Sequence, residues 1–92
     1  MKTRDLIKEF LNKKFYLSAS NLRSIENKLI NYNTVLGQWF DNTLLINTTH
    51  YSATTTKHQN ELIRQAEQNN IHYYTVDGIA MGTKDLSYLY RG

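Results

Sequence analysis

A chain of 92 residues has room for one domain and one modest core. Its 40% apolar and 21% charged residues are the balance of a globular chain rather than a disordered one, and the absence of cysteine excludes disulfides and thiolate metal sites. The net charge of +3 and pI near 9.2 are mildly basic, and no run approaches the length of an apolar membrane span.

Thr3 to Lys14 reads as a short amphipathic helix. Leu6, Ile7, Phe10 and Leu11 fall at i, i+1, i+4 and i+5, one stripe of a 3.6-residue period. Thr3 suits the N-cap, Asp5 the positive helix start, and Lys13 and Lys14 the negative end. Residues 1–30 lack the pattern of a secretory leader, so none is expected. Phe15, Tyr16 and Leu17 lead into the polar connector Ser18-Ala19-Ser20-Asn21. Leu22, Ile25, Leu29 and Ile30 fit either a short helical face or the start of a strand, and a strand beginning near Leu29 is preferred.

Next, Ile30 to Phe40 and Thr43 to Tyr51 flank Asp41-Asn42, two residues that tolerate the left-handed backbone of a tight hairpin turn. In that register Trp39 faces Leu44, Gly37 faces Ile46 and Val35 faces Thr48 on one mostly apolar side. Gln38 with Leu45, Leu36 with Asn47, Thr34 with Thr49 and Tyr32 with Tyr51 form the other, mixed side. A slip of one residue would scramble that division.

A second helix is expected over Lys57 to Asn70, with Leu62, Ile63 and Ala66 on its apolar face. Thr54 or Thr55 suits its N-cap and Asn69-Asn70 its stop. Ile71 to Val76 reads as a strand ended by Asp77-Gly78. Beyond it, Leu86, Tyr88, Leu89 and Tyr90 suit a last short helix or an edge strand. The order α-β-β-α-β predicts a single α+β domain over residues 1–92: an antiparallel-rich sheet of three or four strands around a hairpin at about 30–51, with helices on one face.

His50, His58 and His72 fall on separate elements without metal-ligand spacing, so no metal or other cofactor is expected. The chain has no G-x-S-x-G, P-loop or dinucleotide fingerprint, and nothing pairs its carboxylates across a cleft, so a non-catalytic role is expected. Asn47 to Asn60 runs from a strand end into a helix start, where unpaired N–H groups attract anions. Hydroxyls at Ser52, Thr54, Thr55 and Thr56 would add donors, Lys57 or His58 would add charge, and Thr49 belongs to the same candidate site; capping of the helix itself is the hydroxyls' other use. Among the seven tyrosines, Tyr32 and Tyr51 are candidate anchors, and Arg64 adds charge to the same candidate surface. Tyr88 and Tyr90 with Lys84 and Arg91 make a second, weaker patch.

Asn31, Tyr32 and Thr34, then a hairpin, then Asn47, Thr49, Tyr51, Ser52, Thr54, Thr55, Lys57, Gln59 and Asn60 make an N-Y-x-T … N-x-T-x-Y-S-x-T-T-x-K-x-Q-N pattern. It resembles a family of small phage and mobile-element proteins of low-GC Gram-positive bacteria, over about a third of the chain. The resemblance implies a non-catalytic accessory protein in the host cytoplasm. Its partner would be a host protein or ribonucleoprotein complex, such as a CRISPR nuclease inhibited in the anti-CRISPR manner. The basic charge argues against DNA mimicry, which needs an acidic surface. The alternative is a small basic nucleic-acid-binding module or transcriptional regulator that uses the same anion site together with Arg64 and the basic first helix. No membrane partner is expected, and an exposed edge strand would permit a homodimer.

Overall fold

The computed structural model describes residues 1–90. In chain order the elements are α1 (Thr3–Leu11), β1 (Ser18–Ala19), β2 (Leu22–Ile25), β3 (Lys28–Asn31), β4 (Thr34–Phe40), β5 (Thr43–Asn47), α2 (Ala53–Gln68) and β6 (Tyr73–Val76), followed by a 3-10 turn at Ser87–Leu89. The α+β class is as expected, but the sheet has six strands rather than three or four, in the order β1-β2-β3-β4-β5-β6. The first five form an antiparallel meander, and β6 pairs parallel to β5 after the α2 crossover.

The additional strands come from residues 18–31, which fold as successive tight hairpins. Four two-residue turns, Ser20-Asn21, Glu26-Asn27, Tyr32-Asn33 and Asp41-Asn42, link β1 to β5. The first residue of each is left-handed, with φ of 58° at Ser20, 54° at Glu26, 55° at Tyr32 and 55° at Asp41. This hand of turn matches the twist of the flanking strands. Asp41-Asn42 is the expected turn. The expected long strand from Ile30 to Phe40 is instead broken at Tyr32-Asn33, so Tyr32 stands at a turn and is not paired with Tyr51.

From Gly37 to Phe40 the register with β5 is the expected one. Upstream of it a bulge intervenes. Leu29 pairs with Gly37 but Ile30 pairs with Val35, which leaves Leu36 as the extra residue. Leu36 and Gly37 therefore both turn toward the helices, while Val35 goes to the opposite face, contrary to the simple alternation. Gly37 is small for a packing reason: a Cβ there would lie 3.0 Å from Leu62 and 3.4 Å from Phe10.

The helix-side core joins Leu6, Ile7, Phe10, Leu22, Leu29, Leu36, Trp39, Leu44, Ile46, Leu62 and Ala66. Trp39 buries its ring and donates its indole N–H to the Phe10 carbonyl at 3.0 Å, so its polar edge is satisfied. Lys2 rather than Thr3 occupies the α1 cap position. The apolar stripe of α2 is narrow because two of its buried residues are glutamines. Gln59 donates to the carbonyls of Asn47 and Thr49 at 2.7 and 2.9 Å, and Gln65 donates to the Arg4 carbonyl at 2.9 Å. These bonds dock α2 to the backbone of α1, of the β5 end and of the loop that follows it.

Residues 77–90 cross the other face of the sheet as a strap. Ile79 and Leu86 pack there with Ile30, Val35 and Leu45. Val35 donates its N–H to Thr83 O at 2.8 Å, filling part of the β4 edge that β5 leaves open. Gln38, only 2% exposed, accepts from the Leu86 N–H at 2.7 Å and donates to Asp85 at 2.9 Å. Tyr90 stacks on Phe40 with ring centres 4.6 Å apart, which assigns it to packing; Arg91 lies outside the described residues. Among the described residues no helix is long and apolar enough to cross a membrane.

Candidate binding site at the Tyr32 hairpin

At one end of the sheet the β3–β4 turn, the start of α2 and the strap converge. Asn47 ends β5 and is fully buried. Its amide N–H groups donate to Val35 O at 3.0 Å and to the Tyr51 hydroxyl at 2.8 Å, and its Oδ1 accepts from Thr49 N at 3.0 Å. The Tyr51 hydroxyl donates onward to Ile79 O at 2.7 Å, and Thr49 Oγ1 accepts from Ile79 N at 2.9 Å. Thr49 and Tyr51 thus hold the strap. Tyr51 is half-buried, and its hydroxyl is engaged within the fold.

The cap of α2 is Ser52, in place of Thr54 or Thr55. Its Oγ accepts from Thr55 N at 3.2 Å, and its carbonyl accepts from Thr56 N at 2.9 Å. Ser52 wins because it is the last residue in extended conformation, φ −153° and ψ 167°, before the helix. The N–H groups of Ala53 and Thr54 have no protein partner among the described residues.

A groove of about 230 Å³ opens beside this helix start, lined by Asn31, Tyr32, Asn33, Thr34, Tyr51, Ser52, Thr55 and Met81. Asn31 is 3% exposed; its Nδ2 donates to Thr55 Oγ1 at 2.9 Å, while its Oδ1 has no partner. A second, shallower groove of about 510 Å³ is lined by Ser18, Ser20, Asn21, Arg23, Tyr32 and Asn33. Tyr32 and Asn33 therefore border both grooves. The Tyr32 side chain is 58% exposed although its backbone holds a left-handed φ that bulky residues rarely adopt. Arg23 donates to its carbonyl at 2.7 Å and Asn21 to its hydroxyl at 2.8 Å.

Of the residues singled out from the sequence, Tyr32, Tyr51, Ser52 and Thr55 meet at the first groove, and Thr54 is exposed in the same first turn of α2. Lys57 and Arg64 do not join them. Thr55 is buried, and Lys57 lies about 200° further round the helix, on its exposed side. Arg64 bonds Glu61, whose carboxyl it holds below the ordinary range, and borders a separate groove with Arg4 and Lys8. His58 is on the flank of α2, where burial lowers its pKa. Asn33, Met81 and Arg23 were not foreseen. The recurrence of Asn21, Asn27 and Asn33 every six residues, a four-residue strand plus a two-residue turn, is the sequence signal of the successive hairpins, and Asn21 and Asn33 fall at this end of the sheet.

Among the described residues no three His, Asp or Glu side chains come together as metal ligands. No family model, curated protein or solved structure matches the chain.

Proposed function

We propose that this chain is a non-catalytic binding protein that engages a host nucleic-acid-processing complex through the Tyr32 end of its sheet, as an anti-CRISPR-type inhibitor. One observation carries the choice of surface: an exposed tyrosine in a left-handed turn, bordering two grooves. An aromatic residue with adjacent hollows suits the anchor of an interface, because it supplies large contact area with few rotatable bonds. Arg23 and the unpaired amides of Ala53 and Thr54 give the rim a positive character that favours an anionic partner. The phage and mobile-element resemblance of the Asn31–Asn60 pattern supports the class of partner.

Capture from a bacterial host lysate tests the reading, with the bound proteins identified by mass spectrometry. Immobilised wild type retains a nuclease or helicase complex, Tyr32→Ala loses it, and Lys57→Glu keeps it. An identical set of captured proteins with Tyr32→Ala removes this surface from consideration.

A further inference from the structure

We infer that the groove beneath Tyr32 holds one unpaired nucleotide of the nucleic acid that such a complex carries, an inference that rests on the binding reading above. A buried acceptor without a partner is unfavourable in any fold, and in a groove it calls for a donor. Asn31 Oδ1 is that acceptor. The neighbouring polar groups are already engaged: Ser52 Oγ with Thr55 N, the Tyr51 hydroxyl with Asn47 and Ile79, and Thr34 Oγ1 with Gly82 N.

A cationic donor does not suit the place. No carboxylate lines the groove, and the positive end of α2, with the free N–H groups of Ala53 and Thr54, lies beside it. A bare carboxylate or phosphate has no donor for Asn31. A nucleotide combines both needs: a neutral base amine for Asn31 Oδ1 and a phosphate for the helix start. The exposed ring of Tyr32 adds a stacking surface. The strand must be single, because stacking in a duplex hides the face of the base that Tyr32 would contact.

Oδ1 itself has almost no accessible surface, so one wall of the groove moves to admit the base. Among the lining residues Met81 is 72% exposed, and its unbranched side chain adapts readily.

Fluorescence anisotropy with labelled single-stranded heptamers tests this. Adenosine heptamers, in deoxy and ribo forms, are compared with heptamers of purine nucleoside, which lacks only the exocyclic amine. Saturable binding is expected for adenosine in at least one sugar form, weaker by about tenfold for purine. Tyr32→Ala should abolish it and Lys57→Glu should change it by less than about twofold. Asn31→Leu can destabilise the fold, so the adenosine–purine comparison on wild type is decisive. Equal affinity for the two heptamers, or no binding by either, overturns the inference. If the heptamers fail while capture of the host complex still depends on Tyr32, the groove takes a protein side chain and the binding reading stands. If Tyr32→Ala alters neither assay, both fall.

Discussion

On one face of the sheet, α1 and α2 press a continuous set of Leu, Ile, Phe and Trp side chains against β2 to β5. On the other, residues 77–90 have one turn of regular structure, and their two buried apolar residues, Ile79 and Leu86, are flanked by polar bonds from Gln38, Thr34, Thr49 and Tyr51. The helix face is held chiefly by apolar area, which tolerates imperfect geometry because the hydrophobic effect is non-directional. The strap is held largely by donors and acceptors that match one by one, and a buried group that loses its partner costs more than the bond contributes. Both coverings reach the groove under Tyr32, where α2 supplies Ser52 and Thr55 and the strap supplies Met81.

The largest test of this contrast is Phe10→Ala. It empties the centre of the helix face and should cost about 3–5 kcal/mol, read by urea denaturation as loss of stability of the whole chain. Gln38→Ala should cost less, about 1–3 kcal/mol, by leaving the Leu86 N–H without its acceptor. Hydrogen exchange should then accelerate at Val35, Gly82 and Leu86 while α1 stays protected. Equal acceleration in α1 would show that the strap is not a separable layer.

Smaller again, and opposite in sign, are the turns. Glu26→Gly should stabilise the chain by about 1 kcal/mol, since glycine removes the cost of a left-handed φ. Tyr32→Gly should gain stability for the same reason yet lose partner binding, which separates the fold from the site; denaturation midpoints and the capture assay read the two effects.

The smallest expected effects are in the pH profile. Asp85 has its pKa lowered first by the Gln38 amide and then by the Ser87 N–H. Its contribution is complete above the unfolded carboxylate value, near 3.8, and disappears as pH falls through the lower folded value. Asp85→Asn should flatten that acid limb of stability. His58, on the helical layer, has a pKa below its ordinary 6.5 because burial disfavours the charged ring. The unfolded chain therefore binds this proton more readily, and stability should start to decline as pH drops below 6.5. His58→Gln should remove that limb and leave the one from Asp85. Thermal melts between pH 3 and 8 would distinguish the two layers by the pH at which each weakens.

Features legible in the residues were those with a local cause. The stripe Leu6, Ile7, Phe10 and Leu11 made α1, and Asp41-Asn42 made the central turn, because helical period and tolerance for positive φ act within a few residues. Sequence also marked Tyr32, Tyr51, Ser52 and Thr55, though it grouped them with Lys57, which the pitch of α2 turns outward.

Tertiary structure decided the remainder. Ser, Glu and Tyr have no strong preference for a left-handed φ, so the turns at Ser20, Glu26 and Tyr32 are imposed by strands that gain pairing and burial on either side. The bulge at Leu36 lets both Leu36 and Gly37 face the helices, a requirement that exists only once Phe10 and Leu62 arrive. Gln38 finds its partners at Asp85 and Leu86, far along the chain, and Asn31 becomes a buried acceptor only after α2 and β3 close around it. A period or a turn is written in adjacent residues; the partner of a buried polar group is known only when distant segments meet.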